Sequence, residues 1–337
     1  MTKRTRVFMA ASAGIVVVGL GSGLVAYYGG GFPSLSASRS GPSELSYVPA
    51  DSSVVAFTNV REVMDSQLRQ RLKIALPQEK GQQEFQEQTG IDIEHDIDYV
   101  VAALTTSGAG GLQKDPNGLV VARGRFNTTQ LEVLIRSHGG VVEEYKGKRL
   151  VKAAEGNGKH LALAFLEPGL VGIGSESAIK SSIDAQLTAH SITANNELME
   201  LIADVDAGNN AWAVGRFDAI AGEAHLSPDV MSKIPAIKTF AVMTHIDGGI
   251  SGRLRAETRD DQSADNLRQV IQGLLALGRM QNDPKATALL NSLQLTGSGR
   301  TISLAFEVPS EVLDLLPMFK KGEGGQAPEL PKELHQR

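Results

Sequence analysis

Val7 to Tyr28 is an apolar run without a single charged residue, and Lys3, Arg4 and Arg6 stand directly before it. A helix rises about 1.5 Å per residue and a bilayer's hydrocarbon core is about 30 Å thick, so this length predicts a transmembrane helix over residues 7–28. Arg39 is the one charge on the far side before Glu44. The positive-inside rule therefore leaves residues 1–6 in the cytoplasm and exports everything after the span. Tyr27 and Tyr28 fall where an aromatic belt sits. A cleaved signal peptide is the rival reading: its apolar region is about 7–15 residues long and ends at a small-x-small site. Ser34-Leu35-Ser36 and Ser36-Ala37-Ser38 match that site several residues late, so length and flank favour the anchor. Gly19 and Gly23 form a small-xxx-small pair of the kind that lets two such helices meet as a dimer, although a Gly-rich single span accounts for the same pair.

Composition agrees with export. There is no cysteine, hence no disulfide framework, thiolate metal site or cysteine nucleophile. The chain's formal charge is −5, and residues 1–43 hold four basic residues and no acidic one, which leaves −9 for the remainder. An acidic exported part argues against nucleic acid as a partner. A chain of 337 residues has room for two cores of ordinary size after the span.

Residues 29–48, rich in Gly, Ser and Pro, read as a flexible linker. Val54 to Phe57 predicts a buried strand, and Val60, Met64, Leu68 and Leu72 recur at helical spacing until Pro77. Gln78 to Thr89 extends the helical region, with Gly90 as its stop. Tyr99 to Leu104 and Leu119 to Phe126 read as an antiparallel pair around the turn at Lys114 to Gly118. Thr129 and Glu132 match a capping box for a helix carrying Leu131, Leu134 and Ile135, with His138 at the edge of its apolar face. Strands follow around Leu150, at Leu161 to Leu166 and at Leu170 to Ile173. A helix with Ile179, Ile183 and Leu187 comes next, then one with Leu198, Leu201, Ile202 and Val205.

From Ala211 the plan restarts. Strands read at Ala211 to Phe217, Thr239 to Ile246 and Ile250 to Glu257, with Asp218 as an N-cap after the first. A helix after Ser263, a hairpin of Leu293 to Thr296 with Thr301 to Val308, and a helix with Val312, Leu315, Leu316 and Phe319 complete the second round. Leu163-Ala164-Phe165 answers Leu304-Ala305-Phe306, and Arg123-x-Arg125 answers Arg253-x-Arg255. The expectation is an α+β chain: an N-terminal transmembrane helix, then two similar domains of mainly antiparallel sheet with helices packed on one face. The repeats are assigned to 49–207 and 208–320, with the least protected junction between Leu187 and Asn210. Residues 321–337 are assigned to a disordered tail.

Pro49-Ala50-Asp51 at the start of the exported part, together with Gly90-Ile91-Asp92-Ile93-Glu94-x-Asp96-Ile97, resembles an uncharacterised bacterial family of single-span, envelope-anchored proteins. The resemblance implies an extracytoplasmic α+β part and brings no catalytic residue with it.

Candidate chemistry is sparse. Asp92, Glu94, Asp96 and Asp98 with His95 are the densest cluster of hard ligands, but the calcium-loop pattern of Asp-x-Asp-x-Asp-Gly is missing, and alternation with Ile91, Ile93 and Ile97 fits a half-exposed strand. Ser177-x-x-Lys180 matches the nucleophile motif of penicillin-binding enzymes, yet Lys238-Thr239-Phe240 lacks the glycine of the partner motif and no Ser-Asp-Asn lies between. A chain this rich in Ser and Lys contains such a match by chance. Gly172-x-Gly174 has no third glycine, and neither a phosphate loop nor Gly-x-Ser-x-Gly occurs. Neither a catalytic residue, a metal ligand nor a cofactor is implied.

Arg123, Arg125, Arg253 and Arg255 remain. Residues two apart on a strand share a side, so each pair would present two guanidinium groups to an anionic envelope component or an envelope protein. Solubilisation of an open sheet face explains the same residues. The functional expectation is a membrane-anchored extracytoplasmic binding or scaffolding protein of the bacterial inner membrane, with its domains periplasmic. An exported hydrolase with a dispersed site and a lipid or ligand carrier are the alternatives.

Overall fold

The structure, a computed structural model, describes residues 41–75, 80–105, 117–137, 139–154, 160–217, 219, 237–280 and 290–308. The expected span at 7–28, the turn residues 106–116, His138, the cap Asp218, the helix from Val312 and the tail lie outside them. Among the described residues no helix is long and apolar enough to cross a membrane.

Residues 43–48, expected as linker, are built into the core instead. Ser43–Tyr47 is a 3-10 turn whose Leu45 and Tyr47, with Val48 after it, are buried. The elements then run β1 (Val54–Asn59), α1 (Val60–Met64), α2 (Gln67–Ala75), α3 (Lys80–Thr89), α4 (Ile93–Asp96), β2 (Ile97–Thr105), β3 (Asn117–Gly124) and α5 (Thr128–Ser137). Next come β4 (Val141–Tyr145), β5 (Lys148–Ala154), β6 (His160–Glu167), β7 (Leu170–Ser175), α6 (Glu176–Thr188) and α7 (Asn196–Asp206). The rest comprises β8 (Ala211–Arg216), β9 (Ile237–Ile246), β10 (Ile250–Thr258), α8 (Asp261–Arg279), β11 (Gln294–Thr296) and β12 (Thr301–Val308).

The twelve strands among the described residues form one antiparallel sheet, in the order β11-β12-β10-β9-β8-β1-β2-β3-β7-β6-β5-β4. Mixed helix and antiparallel sheet make this an α+β protein. β1 and β8 sit at its centre, Ala56 opposite Ala213 and Phe57 opposite Trp212. Both strands are covered on both sides, which is why they read as unbroken apolar runs rather than alternating ones. Val55, Phe57, Trp212 and Val214 face the main core, where Ile179 and Ile183 of α6 and Leu198, Ile202 and Val205 of α7 meet them. The small Ala56, Ala102 and Ala213 turn the other way, into a minor cluster with Val120 and Phe240. Burial therefore extends to both faces. α8 packs on β10 and β12, whose buried Ala256 and Ile302 pair in register on the face opposite Arg253 and Arg255.

Outward from the centre the two halves repeat one plan, β1-β2-β3-β7-β6 in one direction and β8-β9-β10-β12-β11 in the other. β4 and β5 are an additional hairpin at the edge of the first half. The matched arginine pairs arise at β3, with Arg125 just past its end, and on β10, strands that hold equivalent places. Leu163-Ala164-Phe165 lies on β6, fifth from the centre, whereas Leu304-Ala305-Phe306 lies on β12, the fourth, so that tripeptide match does not follow the plan. The division expected at residue 208 falls beside β8, which forms five register pairs with β1.

Local differences from the expectations have identifiable causes. The helix expected from Val60 to Leu72 breaks at Asp65-Ser66, where the buried Ser66 Oγ accepts from Arg69 N at 2.9 Å and starts α2 afresh. Asn127, not Thr129, caps α5, accepting from Gln130 N at 3.1 Å, and Glu132 is drawn into ion pairs with Arg136 and Arg149. The strand expected around Leu150 is β5, and it pairs with β4, absent from the sequence reading, through a turn at Lys146 (φ 49°) and Gly147 (φ 79°). A lysine in the left-handed region hides the turn signal that Asn-Gly would give.

Candidate functional site

Leu119, Val121 and Arg123 alternate with outward residues along β3 and so share the face that α6 and the 3-10 turn cover. Arg123 accordingly points into packing rather than onto an open surface. Its Nε donates to Glu44, which is only 4 % exposed, and its Nη2 lies 3.5 Å from Glu167 Oε2. Glu167 Oε1 accepts in turn from the buried Tyr47 hydroxyl at 2.9 Å. Burial opposes the charge of Arg123, but hydrogen bonding and attraction from Glu44 and then Glu167 hold its pKa above the usual arginine value. Burial, followed by the hydrogen bond to Glu167 and its charge, pushes the Tyr47 phenol well above its ordinary range. The four groups clamp the 3-10 turn to the sheet.

Arg125 follows the end of β3 and turns onto α4, donating to the His95 carbonyl and lying 3.5 Å from Asp96 Oδ1. Gly124 permits this approach, since a Cβ there would stand 2.0 Å from the Asp96 carbonyl oxygen. Arg255 on β10 reaches α7, with Nη1 2.9 Å from Asp204 Oδ2. Three of the four arginines are thus engaged by separate carboxylates, and the pairs do not present twin forks.

Arg253 differs. Its side chain is exposed and makes no hydrogen bond or ion pair among the described residues. It lines a cleft of about 620 Å³ together with Asn209, His245, Ser251, Gln294 and Glu307. The end of β9, the start of β10 and the end of β12 supply most of these groups, while Asn209 caps α7 by donating to the Val205 carbonyl at 2.7 Å. Ser251 Oγ donates to the backbone oxygen of His245 at 3.5 Å. The arrangement offers a cationic fork, an imidazole, a hydroxyl and a carboxylate within one open cleft. Only Arg253 of this set was singled out in the sequence. The other five come from loops and strand ends that carry no motif.

The remaining sequence candidates are taken up locally. Asp92 caps α4, accepting from Glu94 N at 2.9 Å, and its Oδ2 lies 2.9 Å from His95 Nδ1. Burial works against its charge, yet the hydrogen bonds from His95 and Glu94 lower its pKa. Glu94 pairs with Arg69 and Asp98 with Arg61, so the acidic cluster is spread over separate cations. Lys180 Nζ sits 2.5 Å from Glu176 Oε1 and over the Tyr145 ring, whereas Ser177 Oγ bonds Asn117 and Ser175. The ammonium of the Ser-x-x-Lys match is therefore directed away from its serine.

Fold and cleft together define an α+β protein built on one long antiparallel sheet, with a polar cleft at the end of its second half. No protein-family model and no curated protein matches the chain. Among solved structures it is similar to one titled "Structure of crystal form I of TP0453", at 9% identity and a TM-score of 0.46, over 82% of this chain and 97% of that one.

Proposed function

We propose that the chain is a membrane-anchored extracytoplasmic binding protein of the bacterial envelope, held in the inner membrane by residues 7–28. It presents two halves of common plan, 49–207 and 208–320, and takes an acidic group of an envelope component at Arg253. The observation that carries this reading is that Arg253, alone of the four arginines, faces a cleft without an internal carboxylate partner. A guanidinium is suited to bidentate capture of carboxylate or phosphate.

The test places a photo-reactive residue at Ser251 of the full chain in cells, with and without Arg253→Ala. The chain is expected to stay in the carbonate-washed membrane pellet and to form an adduct that Arg253→Ala abolishes and that raised salt weakens. A soluble product starting after Ser34 overturns the anchor, and an unchanged adduct overturns the role of Arg253. One observation favours the exported hydrolase as a second reading: His245, Ser251 and Glu307 share the cleft. Against it, Ser251 Oγ is aimed at a backbone oxygen. Turnover of a simple ester that Ser251→Ala abolishes would establish the hydrolase instead.

A further inference from the structure

A second cleft lies at the opposite side of the central strands, and we infer that it binds a neutral saccharide or a comparable polyol. Its volume is about 430 Å³, within the roughly 300–1,000 Å³ usual for small-molecule sites. Four adjacent strands end or begin at it, contributing Arg216 (β8), Ser53 (before β1), Thr105 (β2) and Asn117 (β3). Pro49-Ala50-Asp51 forms one wall, and the first two turns of α6, with Ser181, and the first turn of α7, with Glu197, form the other.

The chemistry of the lining selects the ligand class. Each hydroxyl of a polyol donates once and accepts twice, so its site needs donors and acceptors in comparable measure and little net charge. Asp51 and Glu197 supply acceptors, Arg216 supplies donors, and Ser52, Thr105 and Ser181 serve as either. The two carboxylates are balanced by Arg216 and by Lys238, whose Nζ is 2.7 Å from Glu197 Oε1. That balance disfavours an anion. Ala50, Leu119 and Ala178 add an apolar floor suited to the C–H face of a sugar ring.

Much of the wall is fixed beforehand. Asn195 caps α7 through Leu198 N at 3.2 Å while its Nδ2 donates to the Ala50 carbonyl at 3.2 Å, which ties the Pro49-Ala50-Asp51 loop to the helix. Ser52 Oγ lies 3.4 Å from Thr105 Oγ1, and Asn117 is held between Ser175 and Ser177. By contrast, the side chains of the exposed Asp51 and Ser181 make no hydrogen bond or ion pair among the described residues. They are the groups left to meet a ligand on a preorganised frame.

The full chain, purified in a detergent without a sugar headgroup, is titrated calorimetrically with maltotriose and with chitotriose, and with inorganic phosphate as the anionic arm. Binding of at least one trisaccharide in the millimolar range or tighter is expected, unaffected by phosphate and by Arg253→Ala. Asp51→Ala removes a charge-assisted hydrogen bond and should weaken it roughly tenfold or more. Ser181→Tyr should abolish it by filling the cleft. Both positions are exposed, so the melting temperature should hold in each variant. The inference is overturned if neither trisaccharide binds, if phosphate binds here in their place, or if both variants keep the affinity of the native chain.

Discussion

Arg123 and Arg255 look alike in the sequence and differ in what surrounds them. Replacing Arg123 by Ala strands Glu44, which is 4 % exposed, without its cation. Breaking a fully buried pair costs about 3–5 kcal/mol, and with Arg123 itself partly exposed a loss of about 2 kcal/mol is expected. Arg255→Ala removes a pair exposed on both sides and should cost no more than about 1 kcal/mol. Urea midpoints decide the matter, and equal shifts would remove the clamp from the account. Asp206 offers a pH test of opposite character. Its carboxylate accepts from Trp212 Nε1 at 2.9 Å, but burial outweighs that bond and raises its pKa above the ordinary 3.8. It also sits in the last turn of α7, where the helix dipole disfavours an anion. The ionised form thus carries a penalty that is full above the raised folded pKa, shrinks as pH falls through it, and is gone below the unfolded value. Asp206→Asn keeps an acceptor for Trp212 and should stabilise the protein by about 0.5–1 kcal/mol at neutral pH. The gain should vanish near pH ~2.5, more than a unit below that ordinary aspartate value, where both states are protonated. Fluorescence of the single tryptophan during urea unfolding at both pH values reads this directly, and a gain independent of pH would contradict it.

The best-read elements are those whose burial follows one period. Ile179 and Ile183 on α6 and Leu198, Ile202 and Val205 on α7 are legible because local geometry alone puts these side chains on one face, and β1 and β8 because an unbroken apolar run marks a strand buried on both. Element ends were less legible, since they depend on caps that compete within a few residues, as Asn127 and Thr129 do ahead of α5. The end of α6 supplies a test. Ala189 holds a left-handed conformation, φ 53°, and its N–H closes the helix on the Ala185 carbonyl, with His190 N bonding the same oxygen at 3.0 Å. An L-residue there costs about 1 kcal/mol relative to glycine. Ala189 is exposed, so Ala189→Gly should raise stability by about that amount with no packing lost. A lower melting temperature in this variant would show that the terminus relaxes differently.

At the scale of the whole molecule, the window from Leu187 to Asn210, where the sequence places the least protected junction around a helix of Leu198 to Val205, holds the end of α6, a 3-10 turn (Ile192–Ala194) and α7. That helix packs on β8 and β9, while its cap Asn195 bonds Ala50 at the start of the folded chain. Phe57 of the first half stacks on Trp212 of the second, with ring centroids 5.6 Å apart. Splitting the chain at residue 208 would strip the central edges of β1 and β8 and divide a shared core. Tryptophan fluorescence, which reports the second half, and far-ultraviolet circular dichroism, which reports both, should therefore follow one coincident urea transition. Two separated transitions would restore independent halves. Strand and helix periods, the antiparallel hairpins and the expectation of an exported chain follow from residues near one another, because sterics, alternation and hydropathy act over a few positions. The pairing of β1 with β8 and the fates of four similar arginines do not. Arg123 meets Glu44 79 positions away, and Arg253 meets a cleft assembled from four strands. Such partners are selected only when distant segments close onto one sheet, where the faces already buried determine which charges find a carboxylate and which are left to a ligand.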